Sequence, residues 1–249
     1  MRGTTMTTAV VLAALLAVFQ PASAFISTVP CVRPRTAPAC MASSSSSSSD
    51  GDKTRVRLPI GRISSLDRSK IATDEDSQFY AAPRLVTHAD DKWIGQLTAL
   101  YRERIPPNAV VLDIMGSHVS HLPVDVAYSR VDVHGLNEAE LLQNPVVKST
   151  GGACFKHDFN GDPALPFVEQ DSCYDAVLCC LGVQYLEEPE MVFAEVGRVL
   201  KTSGTVIVSF SSNLFYEKAL SGWIDRGMKG RSRLVKDYLR AAGGFEDIE

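Results

Sequence analysis

A chain of 249 residues with 45% apolar and 22% charged content holds enough apolar material for one good core and little for a second. Its formal net charge is −4. The only basic residues before Asp50 are Arg2, Arg33 and Arg35, so from Asp50 onward 22 basic residues face 29 acidic ones. That balance argues against a phosphate-backbone binder and toward a small-molecule substrate, with no nucleic-acid partner.

The first forty-nine residues contain no Asp or Glu. Arg2 is followed by the apolar stretch Ala9 to Phe19, too short to span a bilayer comfortably, and Ala22 and Ala24 form an Ala-x-Ala cleavage pattern. Residues 1–24 are therefore predicted as a signal peptide. Residues 25–42, with Arg33, Arg35, Ser, Thr and Pro but no acid, read as a transit peptide. The string ASAF at Ala22 to Phe25 resembles the bipartite presequences of algae with secondary plastids. The resemblance implies residence in the plastid stroma without stable membrane insertion, and plain secretion is the alternative.

Ser43 to Ser49 is a pure serine run, and residues 43–54 read as a linker ahead of a domain over 55–249. Cys154, Cys173, Cys179 and Cys180 have neither paired CxxC spacing nor disulfide-rich density, so they read as buried thiols and no metal site is expected.

Within the domain, Trp93, Ile94, Leu97, Leu100 and Tyr101 fall on one helical face between Thr87, the predicted N-cap, and Pro106. AVVLDI at Ala109 to Ile114 then reads as a buried strand. Strand and helix patterns alternate from there: RVDVHGL, a helix from Asn137 to Gln143, ACFKHD, DAVLCCLG, a helix from Pro189 to Leu200, a turn at Gly204, and TVIVSF. Such alternation predicts an α/β fold, a Rossmann-like three-layer sandwich with a mainly parallel sheet and right-handed crossovers. Ligands of such sheets bind at the carboxyl ends of the strands.

The strings VLDIMGSHVSHLP, HDFNGDPALPF and YDAVLCCLGVQYLEEPEMVFAEVGRVLKTSGTVIVSF resemble the class I S-adenosylmethionine-dependent methyltransferases of the type 11 group over roughly Leu85 to Phe245. MGSHVSHLP with HGLN resembles a plant and algal group of methyltransferase-like proteins with an altered glycine loop. The resemblance implies methyl transfer from S-adenosyl-L-methionine to a small-molecule acceptor. It also implies a cofactor over Asp113, Gly116, Ser117, Asp158, Phe159, Leu181 and Gly182. Met115, Ser117 and Val119 stand where that family carries alternating glycines, and Gly135 stands where it carries a ribose-binding acid. Glu138 is the alternative acid, and a solvated residue of the first helical turn is its ordinary reading.

His118, His121 and His134 sit near strand ends, where an imidazole can take a proton from an oxygen or nitrogen acceptor; each can equally be a loop-stabilising hydrogen bonder. Gln184 and Tyr185 follow the fourth strand and become substrate-side candidates. His118, His121 and Tyr185 are the catalytic set. The sequence argues against a nicotinamide-dependent oxidoreductase, since the pattern it requires, GxGxxG directly after the first strand with an acid about 20 residues on, is not met. The remaining alternative is a non-catalytic descendant that kept the sheet as a binding or scaffold protein. The family's sheet ends with a further strand beside TVIVSF, so the chain is expected to lack the last strand and to leave that edge unpaired.

Overall fold

The computed structural model describes residues 8–14, 25–31, 64–166, 171–246 and 248, the first two segments as backbone only. In chain order the elements are β1 (Thr8–Ala14), β2 (Phe25–Cys31), α1 (Asp76–Phe79), α2 (Asp91–Arg104), β3 (Val110–Ile114), β4 (Arg130–Gly135), α3 (Glu138–Leu141), α4 (Pro145–Thr150), β5 (Cys154–Lys156), β6 (Tyr174–Cys180), α5 (Pro189–Val199), β7 (Leu200–Phe210), α6 (Ser221–Ile224) and α7 (Met228–Ala242). Apart from β1 and β2, the leader and linker expectations fall on residues outside those described.

Five strands in the order β7-β6-β3-β4-β5, all parallel, form the central sheet. Because side chains alternate along a strand, the sheet has two apolar faces. Leu112 and Ile114, with Val177, Val206 and Val208, pack toward Phe193, Val196, Leu234 and Tyr238 of α5 and α7. Val111, Leu178 and Ile207 pack on the other side with Trp93, Leu97 and Tyr101 of α2. This is the expected three-layer α/β sandwich.

Local chemistry sets the helix boundaries. Asp90, not Thr87, caps α2, because its carboxylate accepts the Trp93 N–H at 2.8 Å. The helix predicted from Asn137 to Gln143 is the shorter α3, which Asn137 caps at Glu140, and an unpredicted second short helix, α4, follows it, capped by Asn144 ahead of Pro145. Around Gly204 the chain bends as an irregularity within a strand rather than as a loop between elements, since the pairing passes from Tyr174↔Leu200 to Ala176↔Thr205. β7 begins at Leu200 directly from α5, and Gly204 lies inside the strand with Leu200 packed over it.

No strand follows α7 among the described residues. The outer edge of β7 is nevertheless paired, contrary to expectation: the backbone of β1 runs parallel to it from Val10↔Val206 to Ala14↔Phe210, with β2 antiparallel beyond.

A strap over residues 64–90 crosses the carboxyl ends of the strands. Its main chain is tied to the body where Ala72 N–H donates to the Glu217 carbonyl at 2.9 Å and Ser221 N–H donates to the Ser69 carbonyl at 2.8 Å. Asp76 of α1 anchors it from inside. The Asp76 carboxylate lies 2.9 Å from Lys70 Nζ and 3.1 Å from Lys218 Nζ, with all three side chains buried.

Candidate active site

The strap, the loops after β3, β4, β5 and β6, and residues 213–215 enclose one cavity of about 640 Å³. That size is in the range of small-molecule sites. It lies where ligands of parallel sheets bind.

The loop after β3 begins at Met115 with φ +55°, a left-handed conformation costly to a side-chain-bearing residue. The loop thus keeps the backbone a glycine takes easily while adding a side chain. That side chain fills the space beside Gly182, where a Cβ would lie only 2.7 Å from Met115 Cβ. Gly116 N–H donates to the His134 carbonyl at 2.8 Å, laying the loop on β4.

His134 is buried, and both ring nitrogens are used. Nδ1 accepts the Met115 N–H at 3.1 Å, which leaves Nε2 as the donor to the His157 carbonyl at 3.0 Å. Burial drives its pKa down to about 3, with the neighbouring His157 acting in the same sense. It is therefore a neutral crossbar and not a general base.

Asp113 is not in the cavity wall. It is 1% exposed at the end of β3, beneath Gly116, and burial pushes its carboxyl up to about 7 against an opposing hydrogen bond from Ser120.

Ser117, His118 and His121 line the cavity. Ser117 Oγ donates to Glu140 Oε2 at 2.5 Å and lies 3.2 Å from His118 Nδ1. With the hydroxyl proton committed to Glu140, His118 Nδ1 carries the proton shared with Ser117 and Nε2 keeps its lone pair. Burial lowers the pKa of His121, and His118 adds to this. At Gly135 a Cβ would meet the Gly116 carbonyl at 2.6 Å, so no acid fits at that place in the sequence. Glu138 is exposed, and Glu140 is the acid of α3 that reaches the cavity.

After β5, Asp158 and Phe159 both border the cavity. Asp158 Oδ1 takes the Asn160 N–H at 2.9 Å, and Phe159 stacks on His134 with centroids 4.1 Å apart. After β6, Leu181 takes φ +56° and its carbonyl accepts Gln184 Nε2 at 2.8 Å; Gln184 Oε1 is buried without a partner. Tyr185 is buried, its hydroxyl accepts the Phe215 N–H at 2.9 Å, and burial raises its pKa.

Residues 150–208, about a quarter of the chain, match the family model described as a methyltransferase domain. The resemblance is thus to methyltransferases. The match runs from the end of α4 through β5, β6 and α5 into β7, the part that carries Asp158, Phe159, Leu181, Gly182 and Tyr185. Similar solved structures include the [4+2]-cyclase SpnF, at 18% identity over 59% of this chain and 57% of that one, TM-score 0.43. Another is an S-adenosylmethionine-dependent methyltransferase from Mesorhizobium loti, at 18% identity over 41% and 47%, TM-score 0.33. A third is geranyl diphosphate C-methyltransferase from Streptomyces coelicolor with Mg2+, geranyl diphosphate and S-adenosyl-L-homocysteine, at 14% identity over 46% and 43%, TM-score 0.35. The chain spans about half the length of each. No curated protein matches it.

An acid and an aromatic ring border the cavity together at Asp158 and Phe159, a pair that fits the adenine end of S-adenosylmethionine, and Leu181 borders the same cavity. Met115 adds its side chain to the same wall, beside Gly182. Beyond the predicted set, the cavity holds Arg84, Glu140 and Phe215. Arg84 lies just before the region of resemblance and Glu140 reads as an ordinary N3 residue of a helix cap, so neither stands out in the sequence.

Proposed function

We propose that the chain transfers a methyl group from S-adenosylmethionine to a small-molecule acceptor. One observation carries the reading: Asp158, Phe159, Leu181 and Gly182 share a cavity with His118, His121 and Tyr185, above the carboxyl ends of parallel strands. The cofactor supplies a methyl group on sulfonium sulfur, a good leaving group, so placement of the acceptor does most of the work.

In this reading Asp158 accepts the adenine amino group and Phe159 borders the ring. Glu140, held on Ser117, is the cavity-lining acid nearest in sequence to Gly135, the vacant ribose position. His118, its Nδ1–H turned to Ser117, and His121, kept neutral by burial, are the groups able to take the acceptor's proton. Tyr185, with a raised pKa, serves as a neutral hydroxyl that positions.

The second reading, a scaffold without catalysis, is favoured by the Met115 side chain against Gly182 and by the glycine in place of the ribose acid. Calorimetric titration with S-adenosylmethionine and S-adenosylhomocysteine separates the two, because the scaffold binds neither. No helix among the described residues is long and apolar enough to cross a membrane. Plastid location is part of the proposal, supported by the acid-free N-terminus and the ASAF string. A fluorescent fusion of residues 1–50 that stays in the secretory pathway or cytosol of a secondary-plastid alga overturns it.

A further inference from the structure

Arg84 is the unusual charge of the cavity. Its guanidinium carbon stands 4.3 Å from the centroid of Phe79 and 4.9 Å from that of Phe215. Nη2 donates to the Phe79 carbonyl at 3.2 Å, but Nη1 is buried without a hydrogen-bond partner. The adjacent carboxylate does not serve it: Glu140 Oε1 takes the main-chain N–H of Arg84 at 2.6 Å and Oε2 takes the Ser117 hydroxyl. No ion pair joins the guanidinium to a carboxylate among the described residues. The two rings, whose own centroids are 5.3 Å apart, flank the guanidinium on one side and leave Nη1 to donate a charge-assisted hydrogen bond to an oxyanion. Arg84 as a whole is half-buried, but a buried donor without a partner is unfavourable in the empty protein, and a bound oxyanion removes that penalty.

We infer that Arg84 is the oxyanion-binding residue of this cavity and receives a carboxylate of the bound small molecule. Resting on the methyl-transfer reading, the inference allows two sources for that carboxylate. One is the amino-acid end of the cofactor; the other is the acceptor itself, lying against the apolar wall of Phe215, Leu214 and Tyr80.

Two probe pairs, each matched except for the carboxylate, test it by calorimetry on the full chain. S-adenosylhomocysteine is compared with 5′-methylthioadenosine, which lacks the amino-acid end, and 4-hydroxybenzoate with 4-hydroxybenzyl alcohol. Arg84→Met should weaken the charged member of at least one pair about tenfold to hundredfold and leave its uncharged counterpart unchanged, as expected for a charged hydrogen bond. Arg84→Lys should recover part of the loss. Selective loss of S-adenosylhomocysteine assigns the carboxylate to the cofactor, and selective loss of 4-hydroxybenzoate assigns it to the acceptor. Equal weakening of both members, no weakening, or a wild type that binds neither carboxylate overturns the inference. If neither adenosine compound binds the wild type, the methyl-transfer reading falls, while the benzoate pair still decides the role of Arg84. A melting temperature within a few degrees of wild type guards against a folding defect.

Discussion

The Met115 amide donates to Nδ1 of His134 at 3.1 Å, across two neighbouring strand ends. With Nε2 donating to the His157 carbonyl, one imidazole joins the ends of β3, β4 and β5 beneath the cavity. His134→Phe keeps the stacking on Phe159 and removes both hydrogen bonds. It should cost about 1–3 kcal/mol, since two buried main-chain groups lose their partner. Its folded pKa of about 3 is below the unfolded value near 6.5, so its contribution is whole above that unfolded value. The contribution is lost as the pH falls from there toward 3. Urea denaturation at pH 7.5 and pH 5 should show the Phe variant losing less stability on acidification than the wild type.

Asp113 works in the opposite sense. Its folded pKa of about 7 stands above the unfolded value near 4, so the folded state holds a proton that the unfolded chain releases. Stability from this carboxyl is whole below pH 4 and is lost as the pH rises to 7. Asp113→Asn removes the titration and keeps the shape. The advantage of the variant over the wild type should grow between pH 4 and 7 and then level off, as thermal melts at half-unit steps will record. A constant difference across that range counts against a buried, raised carboxyl.

At Met115, Met115→Gly relieves a left-handed residue by about 1–2 kcal/mol but gives up the packing of the side chain on Gly182. Stability should change by less than about 1.5 kcal/mol in either direction. The freed volume lies where the amino-acid end of the cofactor belongs in the family, so affinity for S-adenosylhomocysteine should rise. If affinity falls, the side chain is a ligand contact and not an obstruction.

The sheet was legible because its strands carry short β-branched apolar runs and α5 keeps a clear inward face, and these periodicities answer directly to burial. Six of the seven predicted cofactor residues border the cavity; Asp113 does not, because a strand-end residue can turn beneath its loop as well as over it. The role of His134 was open in the sequence, since a histidine near a strand end looks the same whether its nitrogens face a substrate or the main chain. Arg84 and Glu140 act through contacts made across 56 residues, which no local pattern encodes. The pairing of β7 with β1 is likewise a long-range event between an N-terminal apolar run and a distant edge.

Asp76 is the most deeply buried carboxylate anchor of the strap, which Asp67 and Arg68 also tie to Arg226 and Glu190, and its removal should be felt locally before it is felt globally. Burial pushes the Asp76 carboxyl upward, but hydrogen bonds from Lys70, Asn160 and Lys218 outweigh it and hold the pKa below the ordinary value. The contribution of Asp76 is therefore present above the unfolded pKa near 4 and is lost only as the pH falls through the lower folded one. Asp76→Asn keeps the shape but leaves two lysines, 6% and 2% exposed in their side chains, without a shared counter-charge. Lys218 retains the Asp74 carbonyl and Lys70 retains Glu187, so the loss should be about 3 kcal/mol, the low end for breaking a buried ionic network. Asn160, which also holds the Tyr185 carbonyl and the Glu187 N–H, loosens with it and carries the effect into the cavity floor. Hydrogen exchange should accelerate over residues 64–90 at neutral pH while β3 and β6 stay protected. Exchange unchanged in that segment, together with a stability loss under about 1 kcal/mol, would mean that the main-chain bonds and the ion pairs of Asp67, Arg68 and Lys70 hold the strap without Asp76.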